Sequence, residues 1–393
     1  MKKYKYVIIG GGMTADSAVK GIREADNEGD IALFSNESFK PYNRPPLTKD
    51  LWKGKELEKI FRGTENTKSE VLLDTTISKI DPAKKAVGDD KGNNYEYEKL
   101  LIATGGEPIR LPFGNDNILY YRKLKDYETL RAKTNSKKNF VVIGGGFIGT
   151  EIAAGLSMNG MNVTIVFPEK VIGDKVYSRD LAYYITDYYR DKGVTIEKEQ
   201  SVTAFEKKNS SYILSTNSGK KINADCVVAG IGIKPSVSLA QSAGVNTDNG
   251  IIVDENLMTN IKDIYAAGDV ANFYNPALDK RIRVEHADNA NKMGKAAGLS
   301  MAGKGNPYHY LPYFYSDMFE MGYEAIGELN SAYHVFSDWQ TPFKKGVIYY
   351  MFRGRVRGVL LWDVWGKVND ARELIASKTD IKSPEDLKGR IAY

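Results

Sequence analysis

Thiols are almost missing from this chain: Cys226 is the only cysteine in 393 residues. One thiol excludes internal disulfides and paired CxxC or CxxxxC redox chemistry. Its place inside the apolar run ADCVVAG reads as a buried strand position, not a nucleophile. Such cysteine usage points to the cytoplasm. Histidine is scarce too, with three in all, and no metal site is expected. No apolar stretch approaches the roughly 18 residues that a membrane span needs. The opening MKKYKYVIIGGG sets lysines before an apolar run, as a secretion leader does, but glycines interrupt the run so early that no room for a leader is expected. A basic face is also lacking. Net charge is +5, with Lys, Asp and Glu mixed along the length, so nucleic-acid binding, which needs clustered positive charge, is not expected.

What remains is an ordinary globular composition, 42% apolar and 27% charged, on a chain long enough for two or three domains. Tyrosine is the one abundant aromatic, at 25 residues. It is densest around Tyr183 to Tyr189 and Tyr308 to Tyr315, and most of the tyrosines read as amphipathic filler on helix and loop surfaces.

The informative feature is a repetition. YVIIGGGMTAD runs from Tyr6 to Asp16, and FVVIGGGFIGTE from Phe140 to Glu151. Around the first, residues 4–9 read as a buried strand, 13–25 as a helix and 31–35 as a second strand. Around the second, 140–143, 146–159 and 163–167 repeat that βαβ pattern. In such a loop the first glycine permits the tight turn, and the second lets backbone approach a pyrophosphate held at the helix N-terminus. The third small residue lets helix and strand pack closely. Those positions are Gly10, Gly12 and Ala15, then Gly144, Gly146 and Gly149. An acid about 20 positions further on should read a ribose hydroxyl. The second unit offers Glu169, which favours NAD over NADP by repelling a 2′-phosphate, with Lys170 beside it to offset that repulsion. The first unit offers Asn36 and then Glu37. Two adjacent dinucleotide sites imply electron exchange between two cofactors, a bound flavin and a visiting nicotinamide.

Further apolar runs at KLLIATGG, ADCVVAGIGI and IYAAGDV read as strands ending in glycine turns. From about Tyr313 the pattern alternates like an antiparallel sheet, followed by a helix near residues 367–376, and the closing KTDIKSPEDLKGRIAY reads as a loose polar tail.

Several segments in order resemble a known family: PYNRPPLTKDLW (Pro41 to Trp52), LLIATGG, FVVIGGGFIGTEIA, FPEK, IYAAGDVANFY, VEHADNA, GYEAIGEL and GVLLWDVWGKVNDAREL. Over residues 4–376 the chain resembles the two-dinucleotide-domain flavoprotein reductases, first the apoptosis-inducing-factor branch and then the ferredoxin and rubredoxin reductases. The resemblance implies an α/β fold in a glutathione reductase-like arrangement. Two Rossmann-like domains, FAD-binding at 1–115 and 241–310 and NAD-binding at 116–240, would precede a smaller α+β C-terminal domain at 311–393. It also implies that Gly10, Gly12 and Ala15 cradle FAD, that Thr104 and Gly105 line the same domain, and that Gly268 and Asp269 bind ribityl-side groups at the start of a helix. Gly232 joins the cofactor residues. Arg44 would pack along FAD, and Lys49 would sit near the flavin N5, paired with Glu151. His286 would lie beside the flavin ring, packing and tuning polarity, with Tyr315 as an aromatic shelf where the family usually has tryptophan.

Three departures stand out: Asn36 replaces an acid, the histidine-rich stretch is thinned to Ala287 and Asn289, and a long insertion of the animal proteins is missing. The function so implied is an FAD-dependent, non-thiol NADH oxidoreductase. Its acceptor is a small carrier protein (ferredoxin or rubredoxin), a quinone or oxygen, and a homodimer is allowed. The alternative is a redox-gated binding protein, in which a long-lived reduced flavin–NAD complex controls dimerisation or partner docking.

Overall fold

A computed structural model describes residues 1–393. The chain divides into two compact units. The first comprises Met1–Arg44, Glu56–Glu107 and Lys234–Pro312. Its sheet runs in the order Glu70–Leu72, Ile31–Phe34, Lys2–Ile9, Asn94–Ile102, Ala86–Asp89, Ile77–Asp81, and Ile264–Ala266 also pairs with Asn94–Ile102. Lys2–Ile9 is parallel to both neighbours, and Ile264–Ala266 is parallel to its own. Strands covered on both faces read as continuous apolar runs, which is why VII and LLI are legible as core. The register Ile9↔Phe34, Ile9↔Ile102 and Ala266↔Ile102 levels the carboxyl ends. Ligand-binding loops of doubly wound sheets leave from those ends, at the point where strand order reverses.

Helix Met13–Ala25 crosses helix Ala287–Met301 at very short range. A Cβ on Gly294 would stand 2.4 Å from the Thr14 carbonyl oxygen, and one on Gly298 would stand 2.1 Å from that of Ala18. Alanine at either position would force these helices apart.

The second unit comprises Pro45–Lys55, Pro108–Ile233 and Tyr313–Tyr393. Its parallel sheet has the order Thr195–Glu197, Asn162–Val166, Asn139–Ile143, Cys226–Ala229, Ile118–Tyr120. A three-stranded antiparallel sheet, Val202–Lys208, Ser211–Thr216 and Lys221–Ala224, is separate. The segment Pro45–Lys55 docks on helix Phe147–Met158. A Cβ on Gly155 would lie 3.0 Å from the Trp52 ring, and Asn159 Nδ2 donates to the Trp52 carbonyl at 3.1 Å. The C-terminal part is a five-stranded antiparallel sheet in the order Tyr313–Met318, Met321–Gly327, Arg355–Trp362, Lys345–Phe352, His334–Thr341, with helix Val368–Ala376 packed on it. No helix is long and apolar enough to cross a membrane.

The structure corrects three readings. Gly268–Val270 is a single 3₁₀ turn and not the start of a helix, because Ala271–Asn275 is at once drawn into pairing with Gly250–Ile252. The C-terminal stretch is not loose: Leu387 and Ile391 are buried, the Gly389 N–H donates to Asp338, and the Ile391 N–H donates to the Tyr349 hydroxyl. Polar residues there hide two apolar anchors. Nor are most tyrosines surface filler: more of the 25 are buried than not. Tyr183 is exposed, but Tyr189 is fully buried with its hydroxyl donating to the Thr150 carbonyl at 3.0 Å, and Tyr308 is buried and bonded to Asn289.

Candidate functional site

The first glycine loop leaves the end of Lys2–Ile9. Gly10 has φ +131°, and a Cβ there would meet the Ala103 carbonyl oxygen at 2.2 Å, so no other residue fits. Gly12 is the N-cap of helix Met13–Ala25 and supplies no capping side chain. A Cβ on Gly12 would meet only Arg44 Nη2, at 4.0 Å. Unclaimed N–H groups and the positive end of the helix dipole therefore face open space bordered by a guanidinium, a cradle suited to a pyrophosphate. Ala15, fully buried, fills the third small position.

Arg44 is held firmly. Its Nη2 donates to Glu37 Oε1 at 2.6 Å, its Nη1 to the Tyr42 hydroxyl at 3.3 Å, and that hydroxyl donates to Glu37 Oε2 at 2.7 Å. Burial works against the Arg44 charge, but Tyr42, Glu37 and Asp269 outweigh it and raise the pKa, so the cation is permanent. Glu37 thus joins the loop, whereas Asn36 is solvent-exposed. Thr104 Oγ1 donates to the Ser236 carbonyl at 2.9 Å, and Ser236 N–H donates to the Gly105 carbonyl at 3.0 Å, which pins the turn after Asn94–Ile102. Gly268, at φ +78°, lies so close to Thr14 that a Cβ would be 2.2 Å from its hydroxyl. That contact carries Asp269 toward the first loop. His286 is the N-cap of helix Ala287–Met301, its carbonyl accepting the Ala290 N–H at 2.9 Å.

One group here left no sequence signal. Asp16, fully buried in the first helical turn, accepts from Arg62 Nε at 2.6 Å, Thr64 Oγ1 at 2.7 Å and Lys20 Nζ at 2.9 Å. A carboxylate so near an anion cradle would oppose the anion if it stood alone; Arg62, arriving from a distant loop, neutralises it.

The second loop repeats the geometry. Gly144 has φ +115°, with a hypothetical Cβ 2.4 Å from the Gly230 carbonyl oxygen, and a Cβ on Gly149 would be 2.0 Å from that of Gly144. Gly146 is the N-cap of helix Phe147–Met158, and a Cβ there would meet nothing within 4 Å. Gly232, at φ +99°, follows Cys226–Ala229, and its carbonyl accepts the Ile109 N–H at 2.9 Å. Glu169 follows Asn162–Val166 and remains partly exposed. Its partner is Lys175 Nζ at 3.1 Å, six residues on, while Lys170 points into solvent. Lys175 was missed because a lone lysine in a polar loop has no distinguishing pattern.

A third group lies within the second unit. Lys49 Nζ contacts Glu151 Oε1 at 2.5 Å, both side chains being under one-tenth exposed. Lys49 also stands 5.3 Å from the centre of the Tyr315 ring. Burial pushes the Tyr315 phenol up to about 12, and burial likewise raises the Asp317 carboxyl against the opposing charge of Lys49. Cys226 is buried, and that burial pushes its thiol up to about 11, so it supplies no thiolate near neutral pH.

The whole pattern has known counterparts. Residues 4–294 match the family described as pyridine nucleotide-disulphide oxidoreductase. Apoptosis-inducing factor 1, mitochondrial, of Dictyostelium discoideum is 33% identical over 437 aligned positions, covering 100% of this chain and 82% of that protein. Monodehydroascorbate reductase 3 of Arabidopsis thaliana is 35% identical, covering 92% and 89%. Among solved structures, a ferredoxin reductase from Rhodopseudomonas palustris superposes with a TM-score of 0.90 at 27% identity, covering 97% of this chain and 96% of that one. A putidaredoxin reductase, solved in covalent complex with putidaredoxin, gives the same score and identity over 97% and 94%. With two glycine loops built for dinucleotides and a fold shared along nearly its whole length, the chain belongs to the pyridine nucleotide-disulphide oxidoreductase family and is an FAD-dependent NAD(P)H oxidoreductase.

Proposed function

We propose that the protein oxidises NADH in preference to NADPH and delivers the electrons to a small iron–sulfur or related carrier protein of the ferredoxin or rubredoxin type. Bound FAD supplies the acceptor for the nicotinamide hydride and the relay to the carrier. Gly10, Gly12 and Ala15, with Arg44, hold its pyrophosphate, and Glu37 takes the ribose. Asp269, Thr104, Gly105 and Gly268 complete that side. Gly144, Gly146, Gly149 and Gly232 receive NADH, and Glu169 accepts from its adenosine ribose. Lys49, oriented by Glu151, is the cation that the family resemblance sets beside the flavin; Tyr315 stands next to Lys49, and the resemblance alone assigns His286 to the flavin ring.

The observation that carries the nucleotide preference is the carboxylate of Glu169 at the end of the strand after the second loop. It accepts hydrogen bonds from a ribose diol and repels a phosphate. The acceptor class draws its support from the two solved reductases of ferredoxin-type systems, which align along 97% of the chain. A cytoplasmic setting fits the single, unpaired cysteine.

The test is anaerobic stopped-flow mixing of the yellow protein with NADH or NADPH, followed by mixing the reduced protein with a ferredoxin, a rubredoxin, a quinone, monodehydroascorbate or oxygen. Fast bleaching by NADH and fast reoxidation by one iron–sulfur carrier are expected. Equal bleaching by both nucleotides removes the preference. Fast reoxidation by a small molecule alone removes the protein carrier. Slow bleaching, with a long-wavelength band that persists in air, removes the reductase reading.

A further inference from the structure

Glu151 is more tightly constrained than an ion pair with Lys49 requires. Its carboxylate takes three donors from two segments of the second unit, Thr48 and Lys49 from Pro45–Lys55 and Ser316 from Tyr313–Tyr393. Lys49 Nζ reaches Oε1 at 2.5 Å, Ser316 Oγ donates to the same Oε1 at 2.6 Å, and Thr48 Oγ1 donates to Oε2 at 2.6 Å. All four residues are buried, Ser316 to 1% exposure.

Each donor is placed by a different local device. Thr48 closes the 3₁₀ turn Pro45–Leu47, its N–H donating to the Pro45 carbonyl at 3.2 Å. It therefore presents its hydroxyl one residue ahead of Lys49. Ser316 lies in strand Tyr313–Met318, where alternation turns it inward between Tyr315, 38% exposed, and half-buried Asp317. Glu151 itself stands in the first turns of helix Phe147–Met158.

A carboxylate has about four acceptor directions, and a glutamate side chain has three soft torsions. One lysine alone would leave the group free to rotate and exchange oxygens. A hydroxyl on each oxygen removes that freedom. Each hydroxyl has a single proton: Ser316 spends it on Glu151, and Thr48, which also has the Pro45 carbonyl within 3.3 Å, has Glu151 as its much closer, charged acceptor at 2.6 Å. The ammonium of Lys49 is then held by a carboxylate that cannot turn.

We infer that Thr48 and Ser316 are positioning residues that lock the Glu151 carboxylate from both sides and thereby fix the ammonium of Lys49. This rests on the proposed placement of Lys49 beside the flavin. The consequence is that removal of either hydroxyl shifts the flavin's reduction potential and slows its reduction without weakening NADH binding.

The experiment uses the flavin-loaded protein and four variants: Ser316→Ala, Ser316→Thr, Thr48→Val and Thr48→Ser, with Lys49→Ala as the reference. Midpoint potential, the limiting rate of flavin bleaching by NADH and the NADH dissociation constant are measured, with thermal melting as a check on folding. Ser316→Ala should slow the limiting rate roughly tenfold, the scale of one hydrogen bond to a charged group. NADH affinity should stay within about twofold. The potential should fall by about 30 mV, the two-electron equivalent of tenfold, because a loosened cation stabilises anionic reduced flavin less. Thr48→Val should act in the same direction, and the two conservative variants should restore both readings.

If Lys49→Ala moves the potential while Ser316→Ala and Thr48→Val leave it at the wild-type value, the lock is wrong and the placement of Lys49 stands. If Lys49→Ala itself moves nothing, the placement is wrong and the inference goes with it. Should Ser316→Ala fail to fold, Thr48→Val against Thr48→Ser decides. Equal losses in both members of a pair would mean simple packing damage and would also overturn the inference.

Discussion

The two glycine loops share one backbone and differ in what surrounds their acids. In the first, Glu37 has both oxygens engaged, one by Arg44 and one by Tyr42, and its side chain is 9% exposed. In the second, Glu169 is 28% exposed and meets only the tip of Lys175, a side chain almost wholly in solvent. A site pre-ordered by buried charges loses little freedom when its ligand arrives and holds it long. One whose acid is partly wet and paired to an exposed lysine trades partners readily, because exposed pairs contribute little. The contrast is the one that the proposed assignment, a resident cofactor in the first unit and an exchanging one in the second, requires.

Alanine at the lead glycines should break the comparison most severely. Both positions have φ values that side chains avoid, and both would drive a Cβ into a carbonyl oxygen, at 2.2 Å for Gly10 and 2.4 Å for Gly144. Each change should cost at least about 2 kcal/mol of local fit, roughly thirtyfold in binding. Gly10→Ala should purify colourless. Gly144→Ala should stay yellow yet bleach slowly with NADH. The absorbance of the purified proteins and a single stopped-flow trace check both, and a colourless Gly144→Ala would mean that the two loops do not serve separate ligands.

Next in size is Arg44→Met. It strips the guanidinium from the open side of Gly12 and removes the Arg44 partner of Glu37. Losing one partner of a largely desolvated pair costs on the order of 2 kcal/mol, so FAD should bind roughly thirtyfold more weakly by fluorescence titration, with NADH affinity unchanged. Glu169→Ala should be milder. It should weaken NADH about fivefold, the scale of one exposed charge-assisted hydrogen bond, and narrow the gap to NADPH. An unchanged NADH/NADPH ratio would show that another group reads the ribose.

Why the loops were legible in the sequence and the groups around them were not is itself physical. Gly10 and Gly144 announce themselves because a positive φ and a close carbonyl exclude every alternative, so residue type and spacing carry the geometry. Helix Met13–Ala25 followed from its apolar period and matches the expected bounds. The helix start that the resemblance implies at Asp269 is a 3₁₀ turn instead, because distant pairing of Ala271 with Ile251 decides. Arg62 and Ser316 are single polar residues far along the chain from the carboxylates they meet. Only burial makes their hydrogen bonds matter, and burial is a tertiary fact. The tail shows the reverse case, where a polar composition concealed Leu387 and Ile391.

The smallest effect belongs to Lys175→Ala, and its sign is the informative part. Lys175 lies 3.1 Å from Glu169 and is far more exposed than its partner, so water and salt screen the pair and its removal changes overall stability little. What changes is the charge that an incoming adenosine ribose encounters. With the lysine present, part of the Glu169 field is cancelled, and a 2′-phosphate meets a cation as well as an anion. Without it, the carboxylate stands alone and NADPH should lose about twofold relative to NADH, within the 0.2–1 kcal/mol range of exposed pairs. The difference should shrink as ionic strength rises toward 1 M, where the screening length falls to about 3 Å. Steady-state kinetics with both nucleotides at low and high salt read it directly. Lys170→Ala, on an exposed side chain, should leave the ratio alone. If Lys170→Ala moves the ratio and Lys175→Ala does not, the loop rearranges when nucleotide binds, and the second site is then even less pre-ordered than its partly exposed acid already makes it.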